Sequence, residues 1–186
     1  MQEARSRGCA VHHDSRTTTP LVDTITTTLL PPYLSSPMAL SEYSIRLQHG
    51  IVGGFVPPSP SAILTLTKSA GGSDIAIDEI IRPNGRADLQ QQHKKTLDSS
   101  NGQVQGLVTE LYDILQDLPL ESPTGSDDIY RLDTSIAWHS DDLEWRNGGP
   151  QGCVQRESDV QPSDQERRKF TRAVEIVKEL VDMGSP

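Results

Sequence analysis

Residues 43–68 read YSIRLQHGIVGGFVPPSPSAILTLTK, two alternating segments joined by a long connection. In the first segment, Tyr43, Ile45 and Leu47 alternate with polar residues, and residues 62–68 alternate in the same way. Alternation with a period of two predicts β-strands that bury one face. No helical pattern separates the two strands, so we expect them to pair antiparallel.

The connection between these strands is longer than an ordinary hairpin turn and is both apolar and stiff. Its paired glycines allow positive φ, whereas its prolines fix φ and remove backbone donors. A stiff apolar loop loses little entropy when it docks, which suits an interface anchored by an aromatic side chain. We therefore predict a partner-binding site made of Gly53, Gly54, Phe55, Val56, Pro57 and Pro58.

Three further strands and two helices follow along the chain. Strands are predicted over residues 74–81, over residues 130–138 and around Trp145. The polar residues 90–95 show no clear pattern, and a mobile connection is one interpretation of them. Apolar residues recur at the helical period over residues 104–118 and 170–181, which predicts two amphipathic helices.

Short motifs mark where these helices begin and end. Ser100 with Gln103, and Ser163 with Glu166, have the spacing of a capping box. Pro119 stops the first helix, and Gly184 is placed to cap the second.

The order strand-strand-strand-helix-strand-strand-helix predicts an α+β fold. We expect a mainly antiparallel sheet of four to five strands with two amphipathic helices packed on one face. Residues 38–186 would form this single domain. Residues 1–37 are rich in Thr and Pro, and their three arginines balance three acids, so we predict a disordered tail. Whether translation starts at Met1 or Met38 stays open.

Composition excludes several classes of partner. The net charge of −9 argues against nucleic acid, which requires clustered Lys and Arg. No apolar stretch approaches the roughly 20 residues that cross a bilayer. The two cysteines, Cys9 and Cys153, fit a reducing compartment, so a cytoplasmic location is predicted. No cofactor motif is present, and the oligomeric state stays open.

Residues with catalytic or metal-binding chemistry are present but show no diagnostic spacing. Cys153 and His139 could form a nucleophile–base pair, yet nothing in the sequence links them. The acids between Asp127 and Glu144 could bind calcium, but their spacing is not that of an EF-hand, and a solvated acidic edge is favoured. We therefore predict neither catalytic residues nor metal ligands.

One alternative is a small cofactor-free enzyme, or an accessory protein of, for example, a biosynthetic pathway. Its ligand pocket would lie between the sheet and the helices. The candidate residues for this pocket are Tyr130, Asp133, His139 and Asp141. A third hypothesis is a purely architectural or regulatory role within a complex.

Trp138 and Trp145 flank an acidic turn and precede a glycine-rich stretch, residues 147–153. We expect both tryptophans to pack under the helices. The functional interpretation is that this irregular region forms a second exposed lobe beside the Gly53–Pro58 loop.

Part of the chain resembles the emfourin family. The resemblance rests on the strand at residues 43–48, the Gly53-Gly54-Phe55 loop after it and a helix ending in Leu118-Pro119. The resemblance covers roughly residues 43–138. Emfourins are small α+β proteins that inhibit thermolysin-like metallopeptidases. The resemblance therefore implies a non-enzymatic domain that binds another protein, a metallopeptidase, through its loops.

Overall fold

The structure is a computed structural model, and it describes residues 40–52, 59–83, 86, 88–91, 94–148 and 157–186. All of these residues belong to one compact unit, Ser36–Pro186. The tail predicted to be disordered, residues 1–37, lies outside the described residues.

The described strands form one antiparallel sheet. They are β1 (Tyr43–His49), β2 (Ala62–Lys68), β3 (Asp74–Ile81), β4 (Gln90–Gln91), β5 (Lys95–Asp98), β6 (Thr134–Ser140) and β7 (Glu144–Arg146). Their spatial order is β4-β3-β2-β1-β6-β7, and β5 also pairs with β3. The predicted α+β class with an antiparallel sheet is confirmed.

The sheet has seven strands, two more than the upper number predicted. The additional strands, β4 and β5, share the outer edge of β3, where Gln90 pairs with Ile81 and Lys95 pairs with Ile77. The interpretation of residues 90–95 as a mobile connection was therefore wrong for the residues that pair. Backbone hydrogen bonds hold these two edge strands, and Leu97 is their one buried residue. Their sequences therefore show no alternation of apolar and polar residues.

Two helices, α1 (Gly102–Asp117) and α2 (Asp164–Met183), cover one face of the sheet. Burying the apolar side of each stabilises the fold by roughly 1.5–3 kcal/mol per large side chain. The predicted helical stripes are confirmed, since all of their residues are buried except Ile114, which is partly exposed. Apart from Ile51, which follows β1, the largest fully buried side chains lie in the sheet or the helices: Trp138, Phe170, Ile45, Leu47, Leu66, Ile75, Ile77, Leu111, Leu115, Ile136 and Ile176.

The helix ends agree with the sequence prediction in one case and differ in the other. Ser163 and Glu166 form the predicted capping box, with both reciprocal hydrogen bonds present. The first helix begins one residue later than predicted, because Asn101 rather than Ser100 accepts the hydrogen bond from the Gln103 amide. The Ser100 hydroxyl instead donates to the Asp98 carboxylate at 2.7 Å.

Gly184 caps α2, although its backbone is extended rather than left-handed. A Cβ at this position would stand 2.7 Å from Ile77 Cδ1 and 3.2 Å from Lys95 Cβ. Close approach of the chain to the sheet therefore explains this glycine.

The fourth predicted strand starts later than residue 130. It begins at Thr134, because Arg131 and Asp133 have positive φ, which ends a strand pattern. Leu132, which lies within the predicted strand but before the observed one, is 38% exposed.

Both tryptophans pack under the helices, as expected. Trp138 stacks on Tyr43 with ring centroids 5.3 Å apart. The Trp145 indole donates to the Leu118 carbonyl at 3.2 Å, which ties β7 to the end of α1. The interpretation that they contribute to an exposed lobe is wrong for these side chains.

Candidate functional site

Several connections meet at one end of the sheet, which we call the loop end. The register places His49 beside both Ala62 and Thr134, and Ala62 beside Ile81. The connection that contains residues 53–58 leaves β1 here and returns to β2 here. Residue 148, which precedes the segment 149–156, lies here as well. The fold therefore brings together the origins of both regions that the sequence singled out.

Asp133 holds the outgoing end of the first connection. Its carboxylate accepts backbone N–H bonds from Ile51 at 2.8 Å and Val52 at 2.7 Å, and its carbonyl accepts one from Gly50 at 2.9 Å. Three consecutive backbone amides thus bind a single residue. This arrangement fixes the direction in which the chain leaves β1.

Asp128 in turn holds Asp133. Its two carboxylate oxygens accept the backbone N–H groups of Arg131 at 3.0 Å and Asp133 at 2.7 Å. Burial raises the pKa of Asp128, although these backbone hydrogen bonds oppose the shift. The solvated acidic edge predicted from the sequence is therefore wrong for Asp128, whose buried carboxylate supports the positive-φ loop.

The returning end of the connection lies directly beside the outgoing end. Ser61 donates its backbone N–H to the His49 carbonyl at 3.0 Å. Gly50 has a φ of 83°, and a Cβ there would stand 2.9 Å from the Ser59 carbonyl oxygen. Only glycine combines this backbone conformation with so close an approach. Both ends of the connection are therefore held next to each other on the sheet.

The second segment starts from a buried polar cluster that touches the first. The side chain of Asn147 forms hydrogen bonds with β6 like those of a paired strand. Its amide oxygen accepts the backbone N–H of Ile136 at 2.8 Å, and its amide nitrogen donates to the Thr134 carbonyl at 3.2 Å. The next residue, Gly148, donates its N–H to Glu121 at 2.9 Å. A Cβ on Gly148 would stand 2.7 Å from Ile51 Cδ1, so the two segment origins are in contact.

Exposed apolar side chains concentrate at this end. Among the described residues, the exposed large hydrophobic side chains are Val52, 47% exposed, and Leu132, 38% exposed. They flank Asp133, which hydrogen-bonds Val52 and follows Leu132 in the chain. Single exposed apolar residues are common, but here both lie at the base of a connection that itself contains Phe55 and Val56.

The residues predicted for partner binding, Gly53, Gly54, Phe55, Val56, Pro57 and Pro58, lie outside the described residues. What the structure contributes is their anchoring points, residues 52 and 59. Cys153 also lies outside the described residues.

The four alternative pocket residues are placed in different surroundings. Tyr130 is buried and stacks on Phe170 at 4.1 Å, its hydroxyl donates to the Pro119 carbonyl, and burial raises its pKa. Asp133 and Asp141 lie beyond opposite ends of β6, a seven-residue strand about 23 Å long. His139 is exposed, and its place in the β6 alternation puts it on the face away from the helices. The structure does not bring these four side chains together.

Within the described ranges, no group of three or more His, Cys, Asp or Glu residues could hold a metal ion. None of the described helices is long and apolar enough to span a membrane.

The chain was compared with family models, curated proteins and solved structures. No family model, curated protein or solved structure matches the chain. The candidate site therefore rests on its own geometry.

Sequence reasoning missed the structural role of the polar residues that build the loop end, namely Glu121, Asp128, Ser135 and Asn147. A motif search has no signal for them, because their partners are backbone groups, which every residue has. For Glu121, Ser135 and Asn147 these partners include groups 11 or more residues away in the chain. The single available hint was Asn147-Gly148, which the sequence marks as the end of a strand.

His49 is a titratable side chain at the loop end of the sheet. Burial, with a smaller effect of nearby Lys178, lowers its pKa from the ordinary 6.5, while the Asp133 carboxylate opposes this. Its Nδ1 lies 2.7 Å from Thr134 Oγ1, whose own hydroxyl donates to the Leu132 carbonyl. With the Thr134 hydroxyl donating to Leu132, the neutral tautomer that suits this contact carries its proton on Nδ1 and donates to Thr134 Oγ1.

Stability should consequently fall as the pH is lowered from about 7 towards 5. The unfolded chain takes up the proton near 6.5, before the folded chain does, so acid favours unfolding in that window. Urea unfolding across this range should show a weaker dependence on pH in His49→Asn, since asparagine can still donate to Thr134. The same change at exposed His139 is the control and should keep the wild-type profile. An unchanged profile in His49→Asn would contradict the prediction.

Proposed function

We propose that this protein is a non-enzymatic protein-binding domain that contacts its partner with the loop end of the sheet. The observation that carries the proposal is the pairing of exposed apolar side chains, Val52 and Leu132, with a rigid polar base. A contact surface that is already ordered loses less entropy on binding. The sequence adds Phe55, an aromatic residue of the kind that dominates interface energetics.

The packing between sheet and helices supports binding over catalysis. The positions that would have to be open in the alternative enzyme, Leu107, Leu111, Ile136 and Phe170, are all buried in one apolar cluster. The candidate acid–base groups of that alternative are separated along β6 rather than convergent. Catalysis requires such groups to meet at one point with a substrate.

We further propose a thermolysin-like metallopeptidase as the first partner to test. This choice rests on the resemblance of Gly53-Gly54-Phe55 and its surrounding elements to the emfourins. A cytoplasmic location is also proposed, on the basis of cysteine usage. Neither proposal is needed for the more general one, that the loop end binds a protein.

Phe55→Ala should weaken partner binding at least about 30-fold, the effect of removing an interface hot spot. The melting temperature should stay within about 2 °C of wild type, since the proposed role of Phe55 is contact with the partner and not packing in the core. The measurements are inhibition of purified thermolysin and thermal unfolding of the same two samples. Val52→Ala is the matched control at the anchored base and should give a smaller loss of binding.

Two outcomes distinguish the proposed metallopeptidase partner from the more general proposal that the loop end binds a protein. Absence of inhibition by wild type would remove the metallopeptidase, and the protein-binding function would then be tested by capture from native lysate. There, a partner retained equally by wild type and by a deletion of residues 53–58 would overturn the loop end as the contact site. Unfolding of Phe55→Ala would show instead that Phe55 belongs to the core.

A further inference from the structure

The face of the sheet opposite the helices carries two arginines in one row. The register aligns Arg46 of β1 with Ala137 of β6, and Ala137 with Arg146 of β7. Neighbouring strands lie about 4.8 Å apart, so the two arginine Cα atoms are about 10 Å apart with one methyl group between them. Alternate residues on these strands point to the same face, so both guanidinium groups extend from it.

A cavity of about 120 Å³ lies in this row. The residues that line it include Arg46, Arg146, Gln48, Ala137 and Ser135. The Ser135 hydroxyl donates to the carbonyls of residues 147 and 148, so the lining is tied to the polar cluster of the loop end.

The same cavity is also lined by Ile51 and Gly148, which lie where the two segments begin. A partner seated on the loop end would therefore lie directly against this cavity. The cavity is therefore adjacent to the proposed contact surface.

The charges of this cavity are not neutralised within the described part of the chain. Neither guanidinium forms an ion pair or hydrogen bond with another described residue, and both side chains are exposed. By contrast, Lys95, Lys169 and Arg172 are each paired with an acid. The cross-strand neighbours of Arg46 are Thr65 and Ala137, which are uncharged. Two arginines without an acidic partner among the described residues thus line one small cavity, in a chain whose net charge is −9.

We propose that this cavity binds a side-chain carboxylate of the protein partner, an Asp or Glu placed beside the loop contact. The inference rests on the proposed function. Guanidinium groups donate two parallel hydrogen bonds to a carboxylate, and the Gln48 amide adds a further donor at the rim. Because the chain as a whole repels anions, recognition comes from these local donors and not from a diffuse basic surface.

The test uses a probe that needs no partner. N-acetyl-L-glutamic acid α-amide, which has one side-chain carboxylate, is titrated into the isotope-labelled full chain. The Arg Nε–H resonances and the backbone amides of residues 135–137 and 148 are followed by NMR. We expect saturable shifts of Arg46 and Arg146, with no shift from the neutral glutamine analogue. Arg46→Gln and Arg146→Gln should each weaken binding of the probe at least about tenfold.

Arg168→Gln is the matched control, since Arg168 is an exposed arginine on α2. This variant should bind the probe with the affinity of the wild-type protein. Equal probe affinity in all three variants would overturn the inference. Tighter binding of inorganic phosphate than of the carboxylate probe would also overturn it. Loss of partner binding on deletion of residues 53–58, with probe affinity unchanged by either arginine substitution, would remove the carboxylate site while leaving the proposed function in place.

Discussion

Phe170→Ala should lower the free energy of unfolding by about 4 kcal/mol, the largest effect we expect from a single core substitution. Phe170 is fully buried, stacks on Tyr130 with centroids 4.1 Å apart, and lies 6.3 Å from the ring of Trp145. It therefore joins α2 to the loop before β6 and to β7. Truncation would leave a cavity that rigid aromatic neighbours cannot fill, so the lost contacts would not be recovered.

The measurement is equilibrium urea unfolding, and the chain provides its own comparison. It has two phenylalanines, and Phe55→Ala should leave the unfolding midpoint almost unchanged while Phe170→Ala moves it far down. A loss below about 2 kcal/mol for Phe170→Ala would mean that the sheet and helices can close the gap. Comparable losses for both variants would contradict the division between a core phenylalanine and a contact phenylalanine.

Asn147→Ala should lower the free energy of unfolding by about 3 kcal/mol, which is large for a polar residue. Its side chain satisfies the backbone N–H of Ile136 and the carbonyl of Thr134, both of which are inside the sheet. Alanine would leave these two groups buried without partners. Each such group typically costs about 1–3 kcal/mol.

Asn101→Ala is the matched control for this substitution. Asn101 is exposed and caps α1 through one hydrogen bond to the Gln103 amide, so its loss should cost only about 1 kcal/mol. Urea unfolding of both variants gives the comparison. If Asn147→Ala lowers the free energy of unfolding no more than Asn101→Ala does, water replaces the lost hydrogen bonds at this position. The buried cluster is then accessible to water.

Much of the fold was predictable because it depends on local periodicity. Residues such as Tyr43, Ile45 and Leu47 alternate because one face of β1 is buried, and the stripes of α1 and α2 repeat because each helix hides one side. The Ser163–Glu166 capping box was equally readable, since its donors and acceptors are three residues apart. Signals of this kind are contained in a few consecutive residues.

The candidate site was predictable only in part. The Gly53–Pro58 loop was selected by composition, and its place at one end of the sheet follows from the β1–β2 pairing. The apposition of residue 148 to Ile51 could not be predicted, because it depends on β6 pairing with β1 across 85 or more residues of chain. The row of Arg46, Ala137 and Arg146 has the same origin.

By itself, the sequence determined the order of the main strands and helices, the buried side of each, and the apolar, glycine- and proline-rich composition of the long connection. These properties follow from the spacing of apolar residues and from the restricted backbone of glycine and proline. Only the tertiary structure decided the short edge strands β4 and β5, the support of Asp133 by Asp128, and the role of Asn147 inside the sheet. Each of these depends on hydrogen bonds to backbone groups, which every residue has, so side-chain identity does not reveal the partner until the chain is folded.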